Sequence, residues 1–348
     1  MGAAPDLVEL VRAGVESFDD TLERALFGTG DPAAVAAAIE RLCAEHLAPV
    51  DHALLYRAGV GAVAGLRLAD SRDVLVKIHR LRADVERLRA VVAVQAHLAD
   101  CGLPAPRPLL DPVPLGHGIA TVEEYVVGSS ADAHEPATRA ELAAVLHRLT
   151  EAARPLTTVH DVGIPLLVRP PGAPLYPEPH SLRFDFEATN DGAEWIDELA
   201  RLGRRRLERA SGEPVIGHHD WRVENVAFCD GAVSAVYDWD SLGIAPEPMV
   251  VGTAAGAFCV DWSRNEPDPL PTLDEMRAFV ADYEDARGAA FTVEEREVLD
   301  AANLALMAYG ARCLHSDATF HPELLPGGPR SVGWFRLLEE RGADGLTR

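Results

Sequence analysis

Between His52 and Arg80 the sequence reads HALLYRAG, AGLRLAD and DVLVKIHR, three short apolar runs parted by Gly, Ala or Asp-Ser turns. Runs of this length bounded by turn residues read as an antiparallel meander. The next segment, ADVERLRAVVAVQAHLADCG, is a long amphipathic helix closed by Gly102. LPAPRPLL is extended because Pro104 and Pro106 bar a helix, and GIATVEEYVVG at 118–128 is another strand running into a connector. Residues 4–48, ahead of the meander, are helical, with Asp31 as a cap and Pro32 in a first turn. After Gly128 helices dominate, at 135–153, in DGAEWIDELARLGRRRLERA, and from Met249 onward. A proline-rich loop region at 160–185 and short β runs over 214–240 interrupt them. The expected architecture is α+β in two lobes. A helical extension at 1–48 precedes a small antiparallel β-rich lobe at 49–127 with one main helix, and a larger, mainly helical lobe at 128–348.

Composition excludes several function classes. With 348 residues, 48% of them hydrophobic, the chain can bury a large core. A formal charge of −23 argues against a nucleic-acid surface, which needs clustered Arg and Lys to displace counterions. Five scattered cysteines with no CxxC pair suggest reduced thiols, mostly buried. MGAAPDLVEL has no basic-then-apolar signal pattern, and the longest nearly apolar run, 249–260, is too short to cross a bilayer. These features lead to the expectation of a soluble cytoplasmic protein, monomer or homodimer, that engages neither nucleic acid nor membrane. One residue stands apart: Lys77, inside DVLVKIHR, is the only lysine in the chain.

The densest polar cluster is HHDWRVEN at 218–225, followed by VYDWD at 236–240. Asp220, Asn225 and Asp238 are oxygen donors, the ligand type Mg²⁺ prefers. A hairpin across Asp230-Gly231 would bring 225 and 238 to neighbouring strand ends. Any one of the three reads equally well as an Asx turn; three at these spacings, framed by strands, make a candidate site.

The pattern His218-x-Asp220-x₄-Asn225, then an apolar strand ending in Asp238-Trp239, lies downstream of a lysine-bearing strand and a helix carrying Leu146-His147. It resembles the catalytic segment of the aminoglycoside phosphotransferase and choline kinase-like family, whose members share the protein-kinase fold. The resemblance runs over roughly residues 50–315. It implies that Lys77 reaches the phosphates of ATP or GTP, where a compact ammonium suits better than a guanidinium. Gly59 and Gly61 of AGVGAVAG, with Gly65, would cover those phosphates with backbone N–H groups, and the main chain of Glu124 and Val126 would meet the base. Asp220 would accept or orient the proton of an acceptor hydroxyl, Asn225 and Asp238 would hold Mg²⁺, and His218 would be structural. The implied acceptor is a small molecule: an antibiotic such as an aminoglycoside, or a hydroxylated amine or sugar. Asp240, Glu247, Asp261, Glu266 and Asp268 are candidates for meeting an amine, although a neutral acceptor fits as well.

The sequence departs from the family pattern at three places. His219 stands where the family has Gly, a position where a left-handed backbone would penalise a Cβ. No Glu occurs at Val91–Ala93 to pair with Lys77, which leaves Gln95, a carboxylate from elsewhere, or the nucleotide alone. Asp238 is followed by Trp239-Asp240 rather than Gly. The first two departures sustain a second reading, a nucleotide-binding module with little transfer activity. A third, a metallohydrolase using His218, His219 and Asp220, is opposed by strand geometry, which points adjacent side chains to opposite faces.

Overall fold

The computed structural model describes residues 6–17, 20–80, 84–170, 172–179, 181, 184–210, 212–262, 270–320, 333–342 and 345–346, with only the backbone of Glu16 and Ser17. It divides into two compact units, Met1–Val127 and Gly128–Arg348.

In the first unit, helices α1 (Leu7–Ser17), α2 (Thr21–Phe27) and α3 (Pro32–His46) precede strands β1 (Val50–Ala58), β2 (Ala62–Leu68) and β3 (Asp73–His79). Helix α4 (Val85–Asp100) and strands β4 (Pro108–Leu115) and β5 (Gly118–Glu124) follow. Asp31 caps α3 by accepting the Ala33 N–H at 3.2 Å, and Asp84 caps α4 through Glu86 N–H at 2.9 Å. The five strands form one antiparallel sheet in the order β1-β2-β3-β5-β4.

The two-residue period of the strands sorts their side chains between the faces. Ala62, Ala64, Leu66, Val74, Val76, Ile78, Ala120 and Val122 share one buried face, against which the first three helices place Leu7, Val11, Leu26, Val35 and Ile39. The helical prefix is therefore the cover of a sheet face. Leu75, Lys77, His79, Thr121 and Glu123 occupy the opposite face. β4 carries forward the segment expected to be extended. It is an edge strand, where the missing N–H groups of Pro112 and Pro114 cost no inner ladder bond.

The second unit holds α5 (Pro136–Ala153), α6 (Glu194–Leu207), β6 (Pro214–His218), β7 (Val226–Cys229), β8 (Ala232–Val236) and β9 (Leu242–Pro246). Helices α7 (Glu247–Ala255), α8 (Leu273–Arg287), α9 (Val293–Phe320) and α10 (Gly333–Arg341) complete it. β6 pairs with β9, and β7 with β8. Most of α9 is buried, and two of its buried charges, Asp300 and Arg312, carry hydrogen bonds from or to their neighbours. Asp300 accepts from Arg341 at 2.5 Å and from the Leu346 N–H at 2.7 Å, while Arg312 donates to Thr189 at 3.0 Å and to Asn190 at 3.2 Å. Among the described residues no helix is long and apolar enough to cross a membrane.

Helices α7 and α9 approach so closely that a Cβ on Gly252 would lie 2.2 Å from the Leu299 carbonyl oxygen. Gly252→Ala gains about 1 kcal/mol of helix propensity. Pushing two backbones apart costs about 1–3 kcal/mol in overpacking, and the contact here is to a carbonyl that cannot rotate away. The clash wins. The expected result is a lower thermal midpoint by about 2–6 °C in a melt monitored by circular dichroism.

Candidate functional site

Strand β6 delivers His218 to the start of a loop that closes in a 3₁₀ turn at Val223–Asn225. The β7–β8 hairpin then reverses at Asp230-Gly231, with φ of 51° and 81°, the paired left-handed conformations that match strand twist. Val226 faces Val236, and the Tyr237 N–H donates to the Asn225 carbonyl at 2.8 Å. Asn225 and Asp238 thus stand at adjacent ends of the hairpin, as their spacing around the turn anticipates. Asp238 is itself left-handed, at φ 67° and ψ 39°, and opens a 3₁₀ turn over Trp239–Ser241. A non-glycine residue held there costs about 1–3 kcal/mol, offset here by anchors on both sides. The Trp239 indole donates to the Val236 carbonyl at 2.7 Å, and the Ser241 N–H donates to the Asp238 carbonyl at 3.0 Å.

Asp220 lies at the centre of this cluster. Its Oδ2 accepts from Arg222 at 2.6 Å and from the Asn225 amide nitrogen at 3.3 Å, and that same nitrogen donates to the Asp220 carbonyl at 3.0 Å. The Asp220 side chain also interacts with that of Asp238, and it is 36% exposed. Burial opposes the charged form of this carboxyl. The Arg222 guanidinium, His218 and the contact with Asp238 together outweigh burial and hold it below the ordinary carboxylate range. Arg222 also pairs with Glu224 at 2.7 Å.

His218 locks the two halves of the segment together. Its Nε2–H donates to the Tyr237 carbonyl at 2.9 Å, the Ser241 hydroxyl donates to Nδ1 at 3.1 Å, and the ring sits edge-on to Trp221 and Trp239. Burial pushes its pKa down. His219 has both ring nitrogens buried without a hydrogen bond, and burial, with His218 beside it, depresses its pKa to about 3. Its backbone is not among the left-handed non-glycine residues, so the Cβ that replaces the family glycine brings no strain. With His218 engaged at both nitrogens and His219 sealed in, the metallohydrolase reading has no ligand pair. His147, Glu151 and Glu247 also bring ligand atoms within 4.8 Å of one another. Arg154 pairs with both acids and Arg287 with Glu247, so cations are already in place there.

In the first unit, Lys77 projects from the inner strand β3 between Val63 and Thr121 and is half-buried. Gly59 and Gly61 form the β1–β2 turn, where the Gly59 N–H donates to the Gly61 carbonyl at 3.0 Å. A Cβ on Gly61 would lie 2.5 Å from the Ile78 carbonyl oxygen, so the turn hugs β3. Glu124 ends β5 with its N–H donating to the Arg107 carbonyl at 2.9 Å, and Val126 lies in the connector beyond.

A model of the "Phosphotransferase enzyme family" matches residues 52–297, well over half of the chain. The chain belongs to this family. The phosphotransferase matches no curated protein by sequence. Among solved structures it is similar to the amicoumacin kinase hAmiN in complex with AMP-PNP, Ca²⁺ and Ami, at TM-score 0.54 and 11% identity over 86% of this chain and 96% of that one. A thermostable mutant of aminoglycoside phosphotransferase APH(4)-Ia, in a ternary complex with ADP and hygromycin B, gives TM-score 0.52 and 13% identity over 88% and 99%. Spectinomycin phosphotransferase APH(9)-Ia, in complex with ADP and spectinomycin, gives 0.51 and 14% over 88% and 94%. At such identities the likeness concerns the fold, which is the α+β, protein-kinase-like one. Family membership makes the chain a small-molecule O-phosphotransferase.

Several details of the phosphotransferase were not legible in its sequence. Arg222, which pairs with Asp220, carries no signal in the sequence because one arginine among many means nothing until its partner is known. Glu247 and Asp261 leave the set of acids expected to face an acceptor, since both are buried. Glu247 accepts from Tyr283 at 2.9 Å and pairs with Arg154 and Arg287, each at 3.3 Å. Glu266 and Asp268 lie outside the described residues. Gln95 turns its amide to the Pro106 carbonyl and to Glu123.

Proposed function

We propose that the phosphotransferase moves the γ-phosphoryl group of ATP or GTP onto a hydroxyl of a small molecule, with Mg²⁺ as cofactor. The observation that carries this reading is the state of Asp220, kept ionised by Arg222 together with His218 and Asp238, fixed at Oδ2 by two donors, and 36% exposed. Such a carboxylate accepts or orients the proton of an attacking hydroxyl while its orientation is held at Oδ2. The donor set fits Mg²⁺. With the Asn225 nitrogen engaged by Asp220, its side-chain carbonyl oxygen is presented, and Asp238 adds a carboxylate; both are hard oxygen ligands. When bound, Mg²⁺ supplies charge neutralisation at the phosphates. Lys77 supports the phosphates as a point charge, the Gly59–Gly61 turn covers them with main chain, and Val126 with the Glu124 carbonyl meets the base. AMP-PNP and ADP in the similar structures support a nucleotide donor; hygromycin B and spectinomycin support an antibiotic or a comparable hydroxylated amine or sugar as acceptor.

The test is incubation with Mg·ATP or Mg·GTP and a panel of hydroxylated amines, sugars and antibiotics, following nucleoside diphosphate release. Acceptor-dependent release is expected, with the phosphorylated product identified by mass. A thermal shift with nucleotide but no release on any acceptor would favour the binding-module reading instead.

A further inference from the structure

Helix α4 offers no acid to the lysine of β3. Its two carboxylates are Glu86, paired with Arg89, and Asp100, paired with Arg107 at 2.8 Å; both are largely exposed. The polar side chain that α4 does bury is Gln95, only 4% exposed. Its amide nitrogen donates to the Pro106 carbonyl at 2.7 Å and to Oε2 of Glu123.

Glu123 stands on β5 opposite Leu75, and Thr121 stands opposite Lys77. Directly paired residues share a sheet face, as do residues two apart on one strand, so Lys77 and Glu123 are diagonal neighbours on the same face. Diagonal pairs lie about 7–8 Å apart, within reach of two long side chains extending toward each other. Both residues are half-buried, where a nearby cation stabilises a carboxylate more than it would on the surface. Two other cations of this face have other settings. Arg67 is bound to Asp73, and Arg57 is exposed on the edge strand β1.

We propose that Glu123 is the counter-ion that positions the Lys77 ammonium, and that Gln95 holds the carboxylate in place. The acid comes from the strand beside the lysine, and α4 contributes a neutral amide where an acid was expected. The inference rests on the phosphate-binding role of Lys77. It makes Glu123 a positioning residue, and it ties the ammonium to the register of β3 and β5 instead of to the placement of a helix.

The experiment uses the full chain and Mg·ATP, with affinity read by calorimetry and basal hydrolysis to ADP and phosphate read by product formation. Glu123→Gln, which is isosteric, is expected to slow hydrolysis by about 10- to 100-fold with little change in Mg·ATP affinity, because the ammonium still attracts phosphate but is misplaced. Gln95→Glu combined with Glu123→Gln moves the carboxylate across the same hydrogen bond and is expected to recover most of the rate, which a merely structural role would not do. Glu123→Asp keeps the charge and should retain more rate than Glu123→Gln. Thermal midpoints of all variants separate lost positioning from lost folding. Wild-type rates in Glu123→Gln beside an inactive Lys77→Met would overturn the counter-ion and leave the nucleotide role standing. A double variant no faster than Glu123→Gln would also overturn it. Wild-type binding and hydrolysis in Lys77→Met would remove the phosphate role itself, and the counter-ion with it.

Discussion

Asp220→Asn is expected to lower acceptor-dependent turnover by about 10²–10⁴-fold while nucleotide affinity stays nearly unchanged. The reason lies in which oxygen is occupied. Arg222 and the Asn225 amide both donate to Oδ2, so an asparagine at 220 must turn its own carbonyl toward them. Its NH₂ group then falls where Oδ1 stood and presents a donor to the donor of the incoming hydroxyl. A pH profile adds a second readout. Arg222, with His218 and Asp238, holds the Asp220 carboxyl below its ordinary value against the opposing effect of burial, so the acid limb of kcat/KM should lie below the ordinary carboxylate range. In Arg222→Gln the largest lowering influence is gone while burial and the weaker effects of His218 and Asp238 remain, so the pKa rises and the acid limb moves to higher pH; activity lost at pH 5 should exceed that lost at pH 7. The sign for stability is the same. A depressed folded-state pKa contributes stability above the unfolded value, and that contribution is lost as pH falls through the depressed one. An unchanged acid limb in Arg222→Gln would assign the limb to another group.

The contrast between Asp220 and Arg222 marks where sequence ceases to be informative. Strands β1–β3 and the helices α3 and α4 were legible because each is specified by its own residues: short apolar runs bounded by turn residues, an Asp31-Pro32 start, or an amphipathic run closed by Gly102. The Asn225–Asp238 hairpin was legible for the same reason, since Asp-Gly sets the turn. β4 and β9 were not. Each is a short segment containing proline, and each exists because a partner strand, β5 or β6, supplies hydrogen bonds that no local pattern announces. The same holds for the site. Lys77 stood out by being the sole lysine, whereas Arg222, Gln95 and Glu123 acquire meaning only through register and distance. Glu247 failed in the opposite direction: an acid in the right region of the chain proved to be buried among two arginines and a tyrosine.

Lys77→Arg is expected to cost about 10²-fold in turnover, against no measurable change for Arg57→Lys on the exposed outer strand. Charge is conserved in both exchanges, so the difference has to come from shape. Lys77 rises from an inner strand flanked by β2 and β5, between Val63 and Thr121, with Val76 and Ile78 buried on either side of it in sequence. A guanidinium there is wider, planar and committed to a fork of donors, while an ammonium is a compact charge whose three donors rotate freely. On the surface the two are nearly equivalent, and elsewhere this chain uses arginine throughout. At a half-buried position on a packed sheet the fork cannot rotate to follow phosphate oxygens without displacing its neighbours, and a displacement near 1 Å at a reacting group can cost 10²-fold. Steady-state kcat and KM for nucleotide, measured on both variants beside Lys77→Met, decide the matter. Wild-type rates in Lys77→Arg would mean that charge alone suffices there, and the single lysine would then have no mechanistic explanation.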